Sequence, residues 1–206
     1  MDKRFWMFIG VICFIFVGFL VFHKNKNATV VSTGTKHILG SGSVKLIEYG
    51  DYQCPVCAEY ATTVKSVQEK YGSKTTFQFK DLPLTEIHQN ALAAMRASEA
   101  ADQQGKFWEM HDLIFQNQTA WENQTNALDT FTTYAKQLGL DTSKFATDFK
   151  SSRVNDVINA DISDFGKTGY EKATPTFILD GKQVQPQPTV DDFSKLIDAE
   201  LAKTTK

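Results

Sequence analysis

The feature that most constrains the fold is a pair of cysteines placed where a strand pattern gives way to a helix pattern, in VKLIEYGDYQCPVCAEY, residues 44–60. The stretch opens with β-branched, aliphatic and aromatic residues, which are typical of a short buried strand. Pro55 suits the first turn of a helix, where its missing N–H costs nothing. Apolar residues then recur at helical spacing until Gly72. The sequence therefore predicts a strand, a loop and a helix, with Cys54 and Cys57 at the N-terminus of the helix.

The remaining patterns extend this unit into an α/β fold. TTFQFKDLPL, residues 75–84, alternates apolar and polar positions and predicts a second strand. Residues 86–167 have helical character almost throughout. TPTFILDGKQV, residues 174–184, contains an Asp-Gly pair typical of a hairpin turn, and residues 190–201 predict a last helix. This order predicts a central sheet interrupted by an inserted α-helical subdomain.

Three apolar stripes in the inserted segment are expected to form its core and not a ligand site. Gly105, Gly139 and Gly166 are placed where its helices could end. The stripes comprise Ile87, Ala91, Met95, Ser98 and Ala101; Phe107, Met110 and Ile114; and Phe131, Tyr134 and Leu138.

The N-terminal segment predicts a membrane anchor. FWMFIGVICFIFVGFLVF, residues 5–22, is uncharged and mostly apolar, and as a helix it would span roughly 27 Å. Lys3 and Arg4 precede it, and further lysines follow it, so charge alone orients it weakly. A cleaved signal peptide is the alternative, but the apolar run is long for one and no clear cleavage site follows closely. We favour an uncleaved signal-anchor.

The chain is thus expected to have three parts: a membrane anchor over 1–23, a flexible linker over 24–43 and one folded domain over 44–206. The linker is rich in Gly, Ser, Thr and Asn. A formal net charge of -2 with scattered lysines argues against a nucleic-acid partner. Since Cys13 lies inside the apolar segment, Cys54 and Cys57 must pair with each other or not at all.

A lone C-x-x-C pair is compatible with a metal site, a structural disulfide or a redox pair. Structural zinc usually needs four ligands, and the sequence offers neither a second cysteine pair nor suitably spaced histidines. His88 and His111 are expected to be polar surface or capping residues. A disulfide across two intervening residues closes too small a loop to stabilise the fold much. We therefore favour the redox pair and expect neither a metal nor a cofactor.

The helix N-terminus gives the two thiols different properties. Its unpaired N–H groups and dipole stabilise a thiolate, so we expect Cys54 to be the exposed nucleophile. Cys57, one turn further, is expected to be the buried resolving thiol with the higher pKa. The dipole contributes about 0.3–1 kcal/mol, and up to ~2 in good geometry, against about 1.4 kcal/mol per pH unit of pKa. It alone therefore lowers the pKa of Cys54 by roughly one pH unit.

Several separated motifs together resemble the DsbA-like thiol:disulfide oxidoreductases of the thioredoxin-fold superfamily. They are CPVC after a strand, an acid at Glu48, FKDLPL, HQNALAAMRASEAADQQGKFWEMHDLIF and ATPTFILDG. The resemblance covers about residues 44–200 and implies a thioredoxin fold with an inserted α-helical subdomain. The more oxidising relatives place a histidine before the second cysteine. Here Pro55 and Val56 lie between the cysteines and are expected to set the pKa of the pair. The resemblance therefore implies that Cys54 is activated but has a higher pKa than in those relatives.

The resemblance also implies the other half of the site. The bond before Pro175 is expected to be cis and to face the cysteines, which leaves the backbone of Thr174 able to bind an extended substrate. An ordinary proline at the start of a strand is the alternative. Glu48 is expected to be a buried acid that relays a proton to or from Cys57, with a pKa raised by desolvation. Lys80 could be its charge partner or could be solvated.

These residues imply an enzyme that introduces disulfide bonds into exported proteins with free cysteines. Its expected reoxidant is a membrane quinone-linked oxidoreductase of the DsbB or VKOR kind. Because disulfides persist in oxidising compartments, we expect a monomer anchored in the membrane lipid, with the catalytic domain on the extracytoplasmic side. The alternatives are a reductase or isomerase kept reduced by a membrane donor, and a non-catalytic module that binds peptides.

Overall fold

A mixed β-sheet forms the centre of the fold. The computed structural model describes residues 36–204. Its strands are β1 (Ile38–Gly40), β2 (Val44–Gly50), β3 (Thr75–Asp81), β4 (Thr176–Leu179) and β5 (Lys182–Val184). The strand order is β1-β3-β2-β4-β5, in which β2 and β3 are parallel and every other neighbouring pair is antiparallel. The central strand β2 therefore has its carboxyl end next to the carboxyl end of β3 and the start of β4.

Helices follow the order that the sequence predicts. They are α1 (Pro55–Tyr71), α2 (Ala91–Asp102), α3 (Phe107–Gln116), α4 (Gln118–Trp121), α5 (Ala127–Gln137), α6 (Thr142–Phe149), α7 (Ser152–Thr168) and α8 (Val190–Thr204). Helices α2 to α7 all lie between β3 and β4 in the chain, so the inserted helical subdomain is confirmed. The hairpin between β4 and β5 turns at Asp180 and Gly181, which both have positive φ, as an Asp-Gly pair permits.

One continuous apolar core joins the sheet to the insertion. Phe79 on β3, Trp121 on α4 and Phe131 on α5 are each fully buried within it. Burial along β2 alternates at first, but Glu48, Tyr49 and Gly50 are all buried. Since successive residues of a strand point to opposite faces, the carboxyl end of β2 is covered on both faces. The candidate site lies at this covered end.

Two details of the insertion differ from the sequence prediction. Ile87 does not belong to an apolar stripe, because it lies in the loop before α2 and is 73% exposed. Gly166 does not end a helix, because α7 continues through it to Thr168. The left-handed residue that follows α7 is Gly169, with φ 74°.

The sheet begins earlier in the chain than the predicted domain. Strand β1 lies within the segment that we assigned to the linker, and it pairs antiparallel with β3, with Ile38 opposite Gln78. Gly42 lets the chain cross β3 closely, since a Cβ at this position would lie 1.7 Å from the carbonyl carbon of Lys74. The predicted anchor at residues 5–22 lies outside the described residues. From 36 to 204, the structure contains no helix with the length and apolarity needed to cross a membrane.

Candidate active site

The two cysteines lie where β2 passes into α1. Cys54 is the N-cap residue of α1 with an extended backbone, and its carbonyl accepts the N–H of Ala58. Pro55 follows as the first helical residue, and Cys57 lies in the first turn. Both cysteines are free thiols. Cys57 is completely buried, and Cys54 is only 6% exposed, so Cys54 is the more accessible of the two but not the exposed residue that we expected.

The surroundings push the two thiols toward opposite acidities. A hydrogen bond from the Cys57 side chain is the main cause that lowers the pKa of Cys54 to about 6, against the opposing effect of burial. The Cys54 thiol donates to the Thr174 carbonyl at 3.4 Å, whereas the Thr174 side chain and the N–H groups of Val56 and Cys57 favour the thiolate. Burial, followed by the bond to Cys54, raises the pKa of Cys57 well above its usual value. One thiol is thus prepared to ionise and the other to stay protonated.

We predict that the low pKa of Cys54 is directly measurable. In the reduced protein, the ultraviolet absorbance of the Cys54 thiolate should rise with pH around a midpoint of about 6. The rate of alkylation at Cys54 should follow the same curve, because the thiolate is the nucleophile. A Cys54→Ser variant is the control and should show no transition in this range. A midpoint close to that of free cysteine, at about 8.5, would contradict an activated thiol.

Glu48 is a buried acid on β2 beneath the cysteines. It is 2% exposed, and its neighbours across the sheet are Phe79 on β3 and Phe177 on β4. Burial among these groups, followed by the charge of Cys54, raises the pKa of Glu48 to about 8. The Glu48 carboxylate in turn raises the pKa of Cys57. The acid is therefore able to hold or release a proton at neutral pH, close enough to both thiols to sense their charge.

Lys80 is not the charge partner of Glu48, nor is it solvated. It lies on β3, opposite Tyr49 of β2, and is 8% exposed. Its Nζ is 2.9 Å from Asp164 Oδ2 and 3.5 Å from Asp161 Oδ1, both on α7. Since Lys80 and Glu48 occupy neighbouring positions of paired strands, their side chains point to opposite faces of the sheet. Both interpretations that the sequence left open for Lys80 are therefore wrong.

The loop before β4 lies beside the cysteines, as the sheet order requires. The bond between Thr174 and Pro175 is cis, so the ordinary-proline alternative is excluded. The Thr174 hydroxyl is buried, and its side chain is one of the donors that favour the Cys54 thiolate. Next to Pro175 is a groove of about 340 Å³ that reaches Val56, which is 45% exposed. The groove is lined by Val56, Tyr60, Ala173, Thr174, Pro175, Thr176, Phe177, Gln183, Val184, Gln185, Pro186 and Gln187.

Polar residues of the insertion hold the cysteine loop in place, and the sequence analysis missed them. The side-chain amide of Gln118 donates to the carbonyl of Tyr52 at 2.7 Å and to that of Cys54 at 3.1 Å. The side chain of Gln53 accepts the N–H of Asn90 at 2.7 Å. Isolated amides carry no sequence signal of this kind, since their partners are backbone groups far away in the chain.

The two histidines that we weighed as metal ligands have other roles. His88 Nδ1 lies 2.7 Å from Asp51 Oδ2, and His111 packs edge-on against Phe79 and Phe115. Within the described residues, one group could present metal ligands: His37, Glu99 and Asp102. His37 Nε2 is bound to Glu99 at 2.7 Å, and its ring stacks on Phe107. This group does not include Cys54 or Cys57.

Comparison with known proteins supports the fold. A family model described as Thioredoxin matches residues 32–199. Over 175 residues, the chain is 30% identical to Na(+)/H(+) antiporter NhaA 1 of Salinispora arenicola, an alignment that covers 82% of this chain and 25% of the antiporter. The chain thus spans about a quarter of the length of the curated relatives that it matches.

Among solved structures, alpha-DsbA1 from Wolbachia pipientis is similar, with a TM-score of 0.72 at 21% identity, covering 87% of this chain and 97% of that chain. Oxidised BdbD from Bacillus subtilis has a TM-score of 0.69 at 22% identity, covering 80% of this chain and 92% of that chain. At such identities the likeness shows the fold alone. It confirms the expected thioredoxin fold with an inserted helical subdomain.

Proposed function

We propose, from the premise that this chain belongs to the thioredoxin family, that Cys54 and Cys57 exchange disulfides with protein thiols. The observation that carries the proposal is the asymmetry of the pair: Cys54 has a pKa of about 6, and Cys57 is buried with a pKa well above the usual value. A buried acid with a pKa of about 8 lies beneath them, and a cis proline and a groove lie beside them. A structural disulfide would require none of these features.

The first step is attack by a substrate thiolate on Cys54 Sγ of the Cys54–Cys57 disulfide. The bond between the two cysteines breaks, and a mixed disulfide between the substrate and Cys54 forms. Cys57 leaves as a thiolate and takes a proton from the Glu48 carboxyl, which is largely protonated at neutral pH because its pKa is about 8. The high pKa of Cys57 then keeps it protonated, so it does not reverse the step quickly.

The second step releases the oxidised substrate. A second thiol of the substrate gives its proton to water and attacks the substrate sulfur of the mixed disulfide, and Cys54 leaves as a thiolate. A thiol of low pKa is a good leaving group, so the pKa of about 6 favours this step. The substrate gains a disulfide, and the enzyme is left as a dithiol. Thr174, Pro175 and the groove beside them are where we place the extended substrate.

We further propose that the substrates are exported proteins with free cysteines and that a membrane quinone-linked oxidoreductase, DsbB-like or VKOR-like, reoxidises the dithiol. A dithiol oxidant is useful only where disulfides persist. The apolar residues 5–22 would anchor the domain on the extracytoplasmic side, with Lys3 and Arg4 on the cytoplasmic side. Anchoring would raise the effective concentration of both partners at the membrane. Pro55 and Val56 limit how far the pKa of Cys54 is lowered, because neither side chain can donate a hydrogen bond to a thiolate.

We predict that the pair is more oxidising than glutathione. The full chain is equilibrated with glutathione buffers of increasing oxidised fraction, and the dithiol fraction is measured by thiol alkylation. Because the Cys54 thiolate is stabilised, the dithiol form is favoured, and half-oxidation should require a buffer more oxidising than the cytosolic glutathione pool. A midpoint in strongly reducing buffer would instead identify a reductase. If no buffer oxidised the pair, the chain would be a non-catalytic module that binds peptides.

A further inference from the structure

Asp51 has backbone contacts with both cysteines. It is fully buried and lies three residues before Cys54, directly after β2. Its N–H donates to Cys57 Sγ at 3.5 Å, and its carbonyl accepts the N–H of Cys54 at 3.1 Å. The N–H of Asp51 is therefore directed at the sulfur that carries negative charge whenever Cys57 attacks or leaves.

The side chain of Asp51 fixes the position of this backbone. Its Oδ1 accepts the N–H of Gln53 at 2.8 Å, and its Oδ2 accepts the N–H of Leu84 at 2.8 Å. Oδ2 also lies 2.7 Å from Nδ1 of His88, whose side chain is 15% exposed. Leu84 and His88 belong to the loop between β3 and α2. The carboxylate therefore connects the cysteine loop to the neighbouring loop.

His88 is the side-chain donor in this arrangement. The other two donors to the Asp51 carboxylate are backbone N–H groups, which a side-chain substitution at position 88 leaves in place. A buried carboxylate that loses a partner must turn toward another donor or toward water. Because the carboxylate is attached to the residue whose N–H contacts Cys57 Sγ, such a turn would move that N–H as well.

We propose that His88 is a positioning residue for the chemistry of Cys57. It holds the Asp51 carboxylate so that the Asp51 N–H remains on Cys57 Sγ. This inference rests on the proposed disulfide exchange and assigns to His88 the step in which Cys57 takes part. In this role, His88 does not contact the substrate and does not take part in the attack at Cys54.

The step in question is resolution of a mixed disulfide. With glutathione on Cys54, Cys57 gives its proton to Glu48 in the fraction of molecules whose Glu48 is ionised, and it attacks Cys54 Sγ as a thiolate. The Cys54–Cys57 bond forms, the bond between Cys54 and glutathione breaks, and glutathione leaves as a thiolate that takes up a proton. One disulfide replaces another, so the total number of electrons is unchanged. The Asp51 N–H stabilises the charge on Cys57 before the attack.

The test separates the two kinetic steps in the reduced full chain mixed with oxidised glutathione. Attack by Cys54 is second order in protein and glutathione disulfide, and resolution by Cys57 is first order. His88→Ala and His88→Phe both remove the donor, and the phenyl ring keeps the bulk if alanine unfolds the loop. We expect resolution to be about tenfold slower in both, as for loss of one hydrogen bond to a charged group. Attack at Cys54 should stay within about twofold of the unaltered protein.

Two further variants make the test specific. His88→Asn places an amide N–H close to the position of Nδ1 and should restore the resolution rate to within about twofold. Glu86→Gln changes a 71% exposed side chain of the same loop and should change neither step. Unchanged resolution in His88→Ala and His88→Phe would overturn the role of His88, and so would equal slowing of both steps. If the unaltered protein itself formed no mixed disulfide, the proposed function would fail instead.

Discussion

Replacing Glu48 with glutamine is expected to raise the free energy of unfolding by roughly 3 kcal/mol at about pH 7. Burial raises the pKa of Glu48 from 4.5 to about 8. Between these two values the folded protein keeps a proton that the unfolded chain loses, so the contribution of Glu48 to stability falls as pH rises from about 4.5 to about 8. Glutamine has nearly the same shape and does not ionise, so the Glu48→Gln protein does not lose this stability as pH rises.

The measurement is denaturant unfolding of the dithiol protein and of Glu48→Gln across this pH range. The two proteins should be equally stable at about pH 4 and should diverge steadily up to about pH 8, where the difference reaches at most about 5 kcal/mol. Asp81 and Glu99 are buried acids whose pKa values are also raised well above the usual range, and they are unchanged in both proteins. A constant difference at every pH would show that folding does not raise the pKa of Glu48.

The same variant tests the role of Glu48 in proton transfer. Without the carboxyl, Cys57 has no acid beneath it to supply or accept a proton, and general acid–base catalysis contributes about 10²–10⁴-fold in enzymes. We expect exchange steps that involve Cys57 to slow by about 100-fold. Glu59→Gln is the matched control, since Glu59 is exposed on α1 five residues after Cys54. Slowing of both variants to the same extent would indicate a general effect of charge and not a relay.

The sequence was most informative where local pattern and local chemistry agree. Pro55 after Cys54 indicated the helix start, and the Asp-Gly pair at 180–181 indicated the hairpin, because both depend on backbone preferences of adjacent residues. The burial of Glu48 followed from its place in a strand of apolar neighbours. The cis bond at Pro175 came from the family resemblance, since no local preference identifies the isomer.

The errors have a common physical origin in partners that are distant in the chain. Lys80 is buried because Asp161 and Asp164 lie on α7, about 80 residues later. Strand β1 was missed because an edge strand is held mainly by backbone hydrogen bonds; Ile38, its first residue, is 49% exposed. Ile87 fits a helical spacing by coincidence, because the loop that contains it is fixed by Asp51. None of these contacts has a signature in the sequence.

Replacing the cysteines one at a time should have the largest effect on activity. Cys54→Ser removes the nucleophile and should abolish exchange, a loss of at least about 1,000-fold. Cys57→Ser keeps the nucleophile Cys54 but replaces the resolving thiol with a hydroxyl, which is too weak a nucleophile to attack a disulfide. Mixed disulfides on Cys54 should therefore accumulate. The Cys57 thiol is also the main group that lowers the pKa of Cys54, so this pKa should rise in a Cys57→Ala variant, which has no side-chain donor at this position.

Trapping with Cys57→Ser in the full chain tests the central claim most directly. The variant is expressed in bacteria that fold disulfide-containing exported proteins, free thiols are alkylated at once, and adducts are separated without reductant and identified by mass spectrometry. Our account predicts protein adducts that dithiothreitol releases, each joined through Cys54, and none in the double variant with Cys54→Ser. A Cys57→Ser protein that carries no adduct, or adducts that persist in the double variant, would contradict disulfide exchange at Cys54.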